Sequence, residues 1–379
     1  KKETIEVARA NELRIRNLIY ESLENSIREV DNFGRRLFER TQDDKDFLQV
    51  YLGRGRVESA NQIVYNKQEF VDLEDPLATI PADLAEKYKY IDNAPIISDF
   101  NVSCGVGVVG PKPILEQILK NMTLDISIRH FYNEVKMVYI LSDDYTSKMQ
   151  WIRWLQNVDN QKLGVKNIVC DEESKNIILE DMYIMLSSRE NAVTGNKDIV
   201  FPEHYIVFVT DASSISTHPV SKYIKNCAAY GFTFVFLEEY EEMLPQGCTE
   251  IIRIQDTKSG LVLKTENGDL VSEFAFPSVS DEVAENVALK LGAISVDEVS
   301  LEGELTKNIT MFELLNILSV DDIDLHERWE NAQVYKSLAA PIGVKTKNQI
   351  VYLDISDKPS AHGPHAVSYT HLTLPTIRL

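Results

Sequence analysis

The sequence contains no run of 18 apolar residues, so nothing in it reads as a bilayer-spanning helix. It shows no signal-peptide pattern at its start either. Cysteine is scarce: the four, Cys104, Cys170, Cys227 and Cys248, stand too far apart for a C-x-x-C pair or a zinc-ligand spacing. Isolated thiols of this kind suggest a reducing compartment and inert burial. The seven histidines supply no H-E-x-x-H, and there is no Gly-x-Ser-x-Gly elbow. Positive charge is short as well. Lys and Arg number 39 against 59 Asp and Glu, a net charge of −20. That balance argues against a free-standing binder of nucleic acid or anionic membrane, because phosphate neutralisation needs clustered Lys and Arg.

What remains is globular in composition, with 44% hydrophobic and 26% charged residues over a 379-residue chain. That length corresponds to roughly two to three folded units. Residue 1 is Lys, and a helix-like pattern begins at once, which reads as a fragment of something longer. At the other end, residues 367–376 have no acidic residue and resemble the read-through of a sequencing adapter. Residues 367–379 are therefore read as a non-native tail, outside the fold.

Along the chain, Ile15, Ile19, Leu23, Ile27 and Val30 recur at helical spacing, which predicts an amphipathic helical stalk over 1–45. A strand is expected over 46–52, turning at Gly53 to Arg56. From residue 94 the pattern alternates. Strands are expected at 95–100, 105–110, 135–141, 165–170, 205–211 and 232–237, and helices at 114–122, 147–158, 177–187 and 220–230. Near-continuously apolar strands alternating with helices predict an α/β fold with a mostly parallel sheet covered on both faces. Residues 249–276 turn to β alone, and Asn267-Gly268 is a two-residue hairpin signal. Ser280 caps a further helix, and Thr310 with Glu313 forms a capping box. A strand pair is expected at 340–344 and 350–355.

Two glycine spacings bear on chemistry. Gly105-x-Gly107-x-x-Gly110 has the letters of the dinucleotide fingerprint. Yet Val106, Val108 and Val109 favour a buried strand over a phosphate-facing loop. The acid expected about 20 residues on has only Asp125, which follows no strand. Read instead as a P-loop, Gly105 and Gly110 have the right separation and Lys112 lies nearby. Position 111, however, is Pro where Lys belongs, and Pro113 follows. The two prolines remove backbone N–H donors that a phosphate cradle uses, and no hydroxyl stands ready for Mg²⁺. Asp211 ends an apolar strand where a Walker B carboxylate would sit, with Ala after it, and equally suits a turn cap. These five residues (Gly105, Gly107, Gly110, Lys112 and Asp211) describe a nucleotide-binding fold that has lost its phosphate chemistry. His362 and His365 flank a Gly-Pro loop and make a weak metal pair. Arg35, Arg36, Arg40, Arg54 and Arg56 are basic spots, read either as ion pairs and solvated surface or as a docking site for another subunit or a lipid surface.

Several of these stretches together resemble one family. Phe33 to Arg40, followed by residues 46–56, is similar to the entry segment of the FtsK/SpoIIIE-type ATPases of type VII secretion, known as EssC or EccC. Residues 312–318, Trp329, residues 340–344 and His362-Gly-Pro-His365 resemble the run leading into that family's first working P-loop. The resemblance implies a RecA/P-loop-like fold and a division into a membrane-proximal stalk (1–45), a degenerate ATPase-like module (46–309) and the opening of the first true ATPase module (310–366). It implies a parent that is membrane-anchored on the cytoplasmic face of the cell membrane and forms a homo-oligomer, a hexamer. The parent would use ATP and Mg²⁺ and work with other secretion components on small helical-hairpin substrates. For the segment in hand it implies no cofactor, no nucleic acid and no hydrolysis. A DNA translocase of the same superfamily and a dinucleotide-dependent enzyme are the alternatives.

Overall fold

The computed structural model describes residues 2–65, 80–169, 171–195, 199–264 and 270–294, and beyond them 296, 310–315, 317, 326, 329, 337–345 and 349–356. Asn267, Gly268, Cys170, His362, His365 and the 367–379 tail lie outside the described residues. The chain divides into two compact units, 1–294 and 295–379.

The first unit opens with helices α1 (Lys2–Ile19) and α2 (Leu23–Asn32). The helical reading of 1–45 therefore stops at residue 32. Ser22 interrupts it, accepting from the Asn25 N–H as an N-cap, and Phe33 ends α2 in the left-handed region at φ 48°. Then follow β1 (Gln49–Glu58), α3 (Ile80–Lys87), β2 (Tyr90–Asp99), β3 (Gly105–Val109), α4 (Lys112–Arg129), β4 (Val135–Ile140) and the single turn α5 (Asp143–Thr146). After these come the two-residue strands β5 (Asp159–Asn160) and β6 (Val165–Lys166), α6 (Glu172–Gly195), β7 (His204–Val209), α7 (Ser213–Ser216) and β8 (Phe232–Glu238). Strands β9 (Cys248–Ile254), β10 (Ser259–Lys264) and β11 (Leu270–Ala275) precede α8 (Asp281–Gly292).

Nine strands form one sheet in the order β2-β1-β11-β10-β9-β3-β8-β7-β4. The five from β9 to β4 run parallel. Numbered by their order in the chain, they lie 5-1-4-3-2 across the sheet, the core of the expected RecA-like fold. The β-only stretch extends this core as antiparallel strands, and β1 and β2 continue it.

The two faces of the sheet are set by side-chain alternation. On β4, Val135, Met137 and Tyr139 enter one core while Val138 and Ile140 enter the other. On β8, Val235 and Leu237 face the first core, and Phe232, Phe234 and Phe236 face the second. Residues of α4, α8 and α2 fill the first face. Residues of α6 and of the 3-10 segment Pro219–Tyr230 fill the second.

Further expectations need correction. The strand expected at 165–170 shrinks to β6, which pairs antiparallel with β5 outside the nine-stranded sheet, and the helix expected at 220–230 is the 3-10 segment Pro219–Tyr230. Gly53 to Arg56 is not a turn: β1 continues through it, with a shift of register against β2 on either side. A Cβ on Gly53 would meet the Ala275 carbonyl oxygen at 2.1 Å, and one on Gly55 the Glu273 oxygen at 1.9 Å. The glycines permit close strand approach, not reversal. Residues 147–158 are also not one α-helix. They form short 3-10 turns at Gln150–Trp154 and Gln156–Val158. There Gln156 binds the Gly292 and Ile294 carbonyls, which fixes the end of α8.

Four of the five basic spots have partners inside the unit. Arg36 pairs with Glu21 and Glu39, each at 2.7 Å, Arg40 with Asp46 at 3.0 Å, and Arg56 with Asp92 at 3.4 Å. Arg54 donates to Asn17 Oδ1 and the Asn93 carbonyl. Ion pairs therefore account for Arg36, Arg40 and Arg56, and hydrogen bonds to uncharged oxygens for Arg54.

In the second unit, α9 (Met311–Leu315) is followed by the antiparallel pair β12 (Ala339–Lys345) and β13 (Gln349–Asp354), as the sequence predicts. No helix among the described residues is long and apolar enough to cross a membrane.

Candidate functional site

In an open parallel α/β sheet, ligands bind beyond the carboxyl ends of the strands. The carboxyl ends of β3, β4, β7 and β8 are therefore where a nucleotide would be held.

β3 is a central strand, paired in parallel with β8 on one side and β9 on the other, and Val106 and Val108 are fully buried. Gly105 is its first residue, not the start of a loop. Gly105 is thus separated from the junction that precedes Lys112 by the length of a strand, about 17 Å at roughly 3.3 Å per residue. Only Gly110 and Pro111 stand between the end of β3 and the start of α4. A P-loop needs several residues there to wrap a phosphate, and only these two are present.

The glycines have packing reasons. A Cβ on Gly107 would lie 2.4 Å from Leu244 Cδ1, and one on Gly110 would lie 2.8 Å from Ile254 Cβ. Neither lies in the left-handed region that a phosphate-cradling loop exploits, where the described glycines are Gly164 and Gly231. The dinucleotide reading fails on its second requirement as well. Asp125 is wholly buried inside α4 and paired with Arg129.

The first turn of α4 offers little to an anion. Pro111 is its N-cap in extended conformation and Pro113 follows. The Ile114 N–H already donates to the Pro111 carbonyl at 2.9 Å, and that of Leu115 to the same oxygen at 3.0 Å. Lys112 is half exposed and pairs with Asp144 at 3.2 Å, an interaction that raises its pKa.

The surrounding charge is of the wrong sign for phosphate. Glu238, at the end of β8, is 5% exposed and accepts from the Ala212 N–H at 2.6 Å. Burial pushes its carboxyl above the ordinary value, and Asp211 and Glu239 add to the shift. Tyr145, buried just after β4, has its hydroxyl pKa raised first by burial and then by Glu116, Glu239, Glu238 and Asp144. Four carboxylates therefore act on one buried phenol at this edge. A phosphate charge 5 Å from one carboxylate would be repelled by about 3 kcal/mol at an effective dielectric of 20. The residues present do not fit the phosphates of ATP.

Asp211 lies beyond β7, one strand removed from β3, because β8 intervenes. Its Oδ1 accepts from the Ser213 N–H at 2.9 Å and the Ser213 hydroxyl at 2.6 Å. It starts the turn into α7.

Sequence reasoning missed Tyr145 and Glu238. A strand ending in two successive acids, Glu238 and Glu239, was the available signal for the second. It also missed the far end of α4. There Asp125 Oδ1 accepts from Arg129 Nε at 3.0 Å and Oδ2 from the Tyr51 N–H at 2.9 Å. Arg129 donates to Ser26 Oγ at 2.7 Å and to the Glu21 carbonyl at 3.1 Å. His130 accepts the Leu48 N–H on Nε2 at 3.0 Å, and its Nδ1 lies 3.2 Å from the Ile126 carbonyl. Burial lowers the His130 pKa to about 3, with Arg40 contributing, so the ring is held neutral. One helix thus links the junction at Lys112 to the N-terminal helices, 18 residues or about 27 Å away.

No family model matches the chain. It is 27% identical over 343 residues to the type VII secretion system protein EssC of Staphylococcus aureus strain MSSA476, covering 89% of this chain and 23% of that protein. It is 25% identical over 362 residues to the ESX secretion system protein EccC of Geobacillus thermodenitrificans, covering 93% of this chain and 24% of that one. The chain thus spans about a quarter of the length of the curated relatives it matches. Among solved structures, ATPases 2 and 3 of EssC from Geobacillus thermodenitrificans align with 86% of this chain and 62% of that one. The identity is 10% and the TM-score 0.46, too slight a likeness to carry an argument.

Proposed function

We propose, from the chain's homology to the EssC and EccC proteins of type VII secretion, that it is a non-hydrolysing scaffold and coupling module of a secretion motor. The observation that carries this reading is the two-residue junction between β3 and α4. It leaves no room for a phosphate cradle, withdraws donors through Pro111 and Pro113, and faces carboxylates. The RecA-like core remains and can still pack against neighbours.

In this reading residues 1–45 are the membrane-proximal stalk, 46–309 the degenerate module and 310–366 the opening of a working ATPase module. ATP and Mg²⁺ act in modules beyond residue 366 of a membrane-anchored parent on the cytoplasmic face. The parent assembles as a hexamer and exports small helical-hairpin substrates with other secretion components. The buried contacts of α4 with the stalk helices give the module a way to pass mechanical strain without chemistry of its own.

The test is made in the full-length parent. Lys112→Ala should leave secretion of its small substrates at the wild-type level, because Lys112 holds only Asp144. Secretion reduced tenfold or more, with the parent's abundance unchanged, would overturn the reading.

A further inference from the structure

Beside the β4 edge of the first unit lies a groove of about 530 Å³ whose apolar lining is Leu141, Met149, Val165, Ile168, Ile177 and Ile178. The first turns of α6 form one wall and the turn at 149–153 another. Among the described residues, the charged side chains lining it are Arg153 and Lys166. Lys166 is already paired with Asp159. Arg153 has no carboxylate at ion-pair distance among the described residues, and its guanidinium lies 5.0 Å from the Trp154 ring centroid. Trp154, Val165 and Ile177 are 42%, 46% and 47% exposed. In a chain of net charge −20, this is an apolar groove whose one uncompensated charge among the described residues is positive.

We propose that the groove docks an amphipathic α-helix of another polypeptide, one that sets apolar anchors against Ile168, Ile177 and Met149 and a carboxylate against Arg153. The edge of β4 disfavours an added strand. The Tyr139 N–H already donates to the Asn167 carbonyl at 2.9 Å, and the Val169 N–H to the Tyr139 carbonyl at 2.9 Å. A helix needs no ladder: it is recognised by anchors at i, i+3, i+4 and i+7 that enter an apolar groove. Charge complementarity sets the sign of its flanks. The inference does not depend on whether the module binds nucleotide.

Two fluorescein-labelled 15-residue helical probes test it by anisotropy against the whole chain. Both carry leucines at i, i+3, i+4 and i+7. One has glutamates at its flanking positions and the other lysines. The chain's overall charge favours the lysine probe everywhere except at a locally basic site. The glutamate probe should nevertheless bind about tenfold more tightly, a difference of roughly 1.4 kcal/mol. Arg153→Glu should reverse that preference. Ile177→Asp, at an exposed position the fold should tolerate, should weaken the glutamate probe about tenfold with the thermal midpoint unchanged. Binding of neither probe, equal binding of both, tighter binding of the lysine probe, or glutamate-probe binding untouched by Ile177→Asp would each overturn the proposal. Sedimentation of the chain alone covers the remaining occupant. A dimer dispersed by Arg153→Glu would assign the groove to a second copy and overturn the assignment to another polypeptide.

Discussion

Asp125→Ala should destabilise the first unit by about 3–5 kcal/mol, the usual cost of removing one partner from a buried ion pair. The carboxylate is wholly buried and holds Arg129, itself 1% exposed, together with the Tyr51 N–H of β1. Its removal leaves a guanidinium in the core with only Glu39, at 3.4 Å, as a counter-charge. It also leaves a buried backbone donor without an acceptor. Asp125→Asn should fall between, since an amide oxygen can still accept from Tyr51. Replacing Asp125 by Leu and Arg129 by Met together should recover most of the loss, because no charge then remains to be paired. Urea unfolding at constant m-value measures all three. A loss below about 1 kcal/mol for Asp125→Ala would show that the pair is not what fastens the N-terminal helices to α4.

Gly107→Ala should cost about 1–3 kcal/mol, the range for overpacking a filled core. The added methyl group would meet Leu244 at 2.4 Å. The decisive comparison is a double-mutant cycle with Leu244→Ala. If Gly107 is a packing glycine, truncating Leu244 makes room, and the double variant should be more stable than the sum of the single changes by about 1 kcal/mol. If the glycine served a bound phosphate, Leu244 would have no bearing on it. Strict additivity would contradict the packing account of the whole Gly105-x-Gly107-x-x-Gly110 spacing.

Much of this architecture was legible because apolar runs mark buried parallel strands whatever their partners. Residues 105–109, 205–209 and 232–238 could be placed on that signal alone. The loss of the phosphate grip was legible too, since Pro111 and Pro113 remove donors in any backbone arrangement. Other features depend on partners distant in sequence. Gly53 and Gly55 look like a turn until the carbonyls of Ala275 and Glu273, more than 200 residues away, are brought against them. Arg40 and Arg129 look like surface charges, yet each is 1% exposed, because backbone carbonyls and acids from four separate segments close around them. Residues 147–158 have a helix-like spacing of Trp and Ile, and their contact with the end of α8 imposes tighter turns instead. Tyr145 gave no signal at all. Its significance comes from carboxylates on α4 and at the end of β8, with Asp144 beside it.

A junction at Gly110 with two residues and two nearby prolines should be unable to hold a nucleotide. Calorimetric titration of the chain with Mg-ATP at moderate ionic strength addresses that directly. The expected result is no saturable heat up to millimolar ATP and no shift in thermal midpoint. Saturable micromolar binding that Lys112→Ala abolishes would contradict it, and would mean that Lys112 leaves Asp144 to grip a phosphate after all.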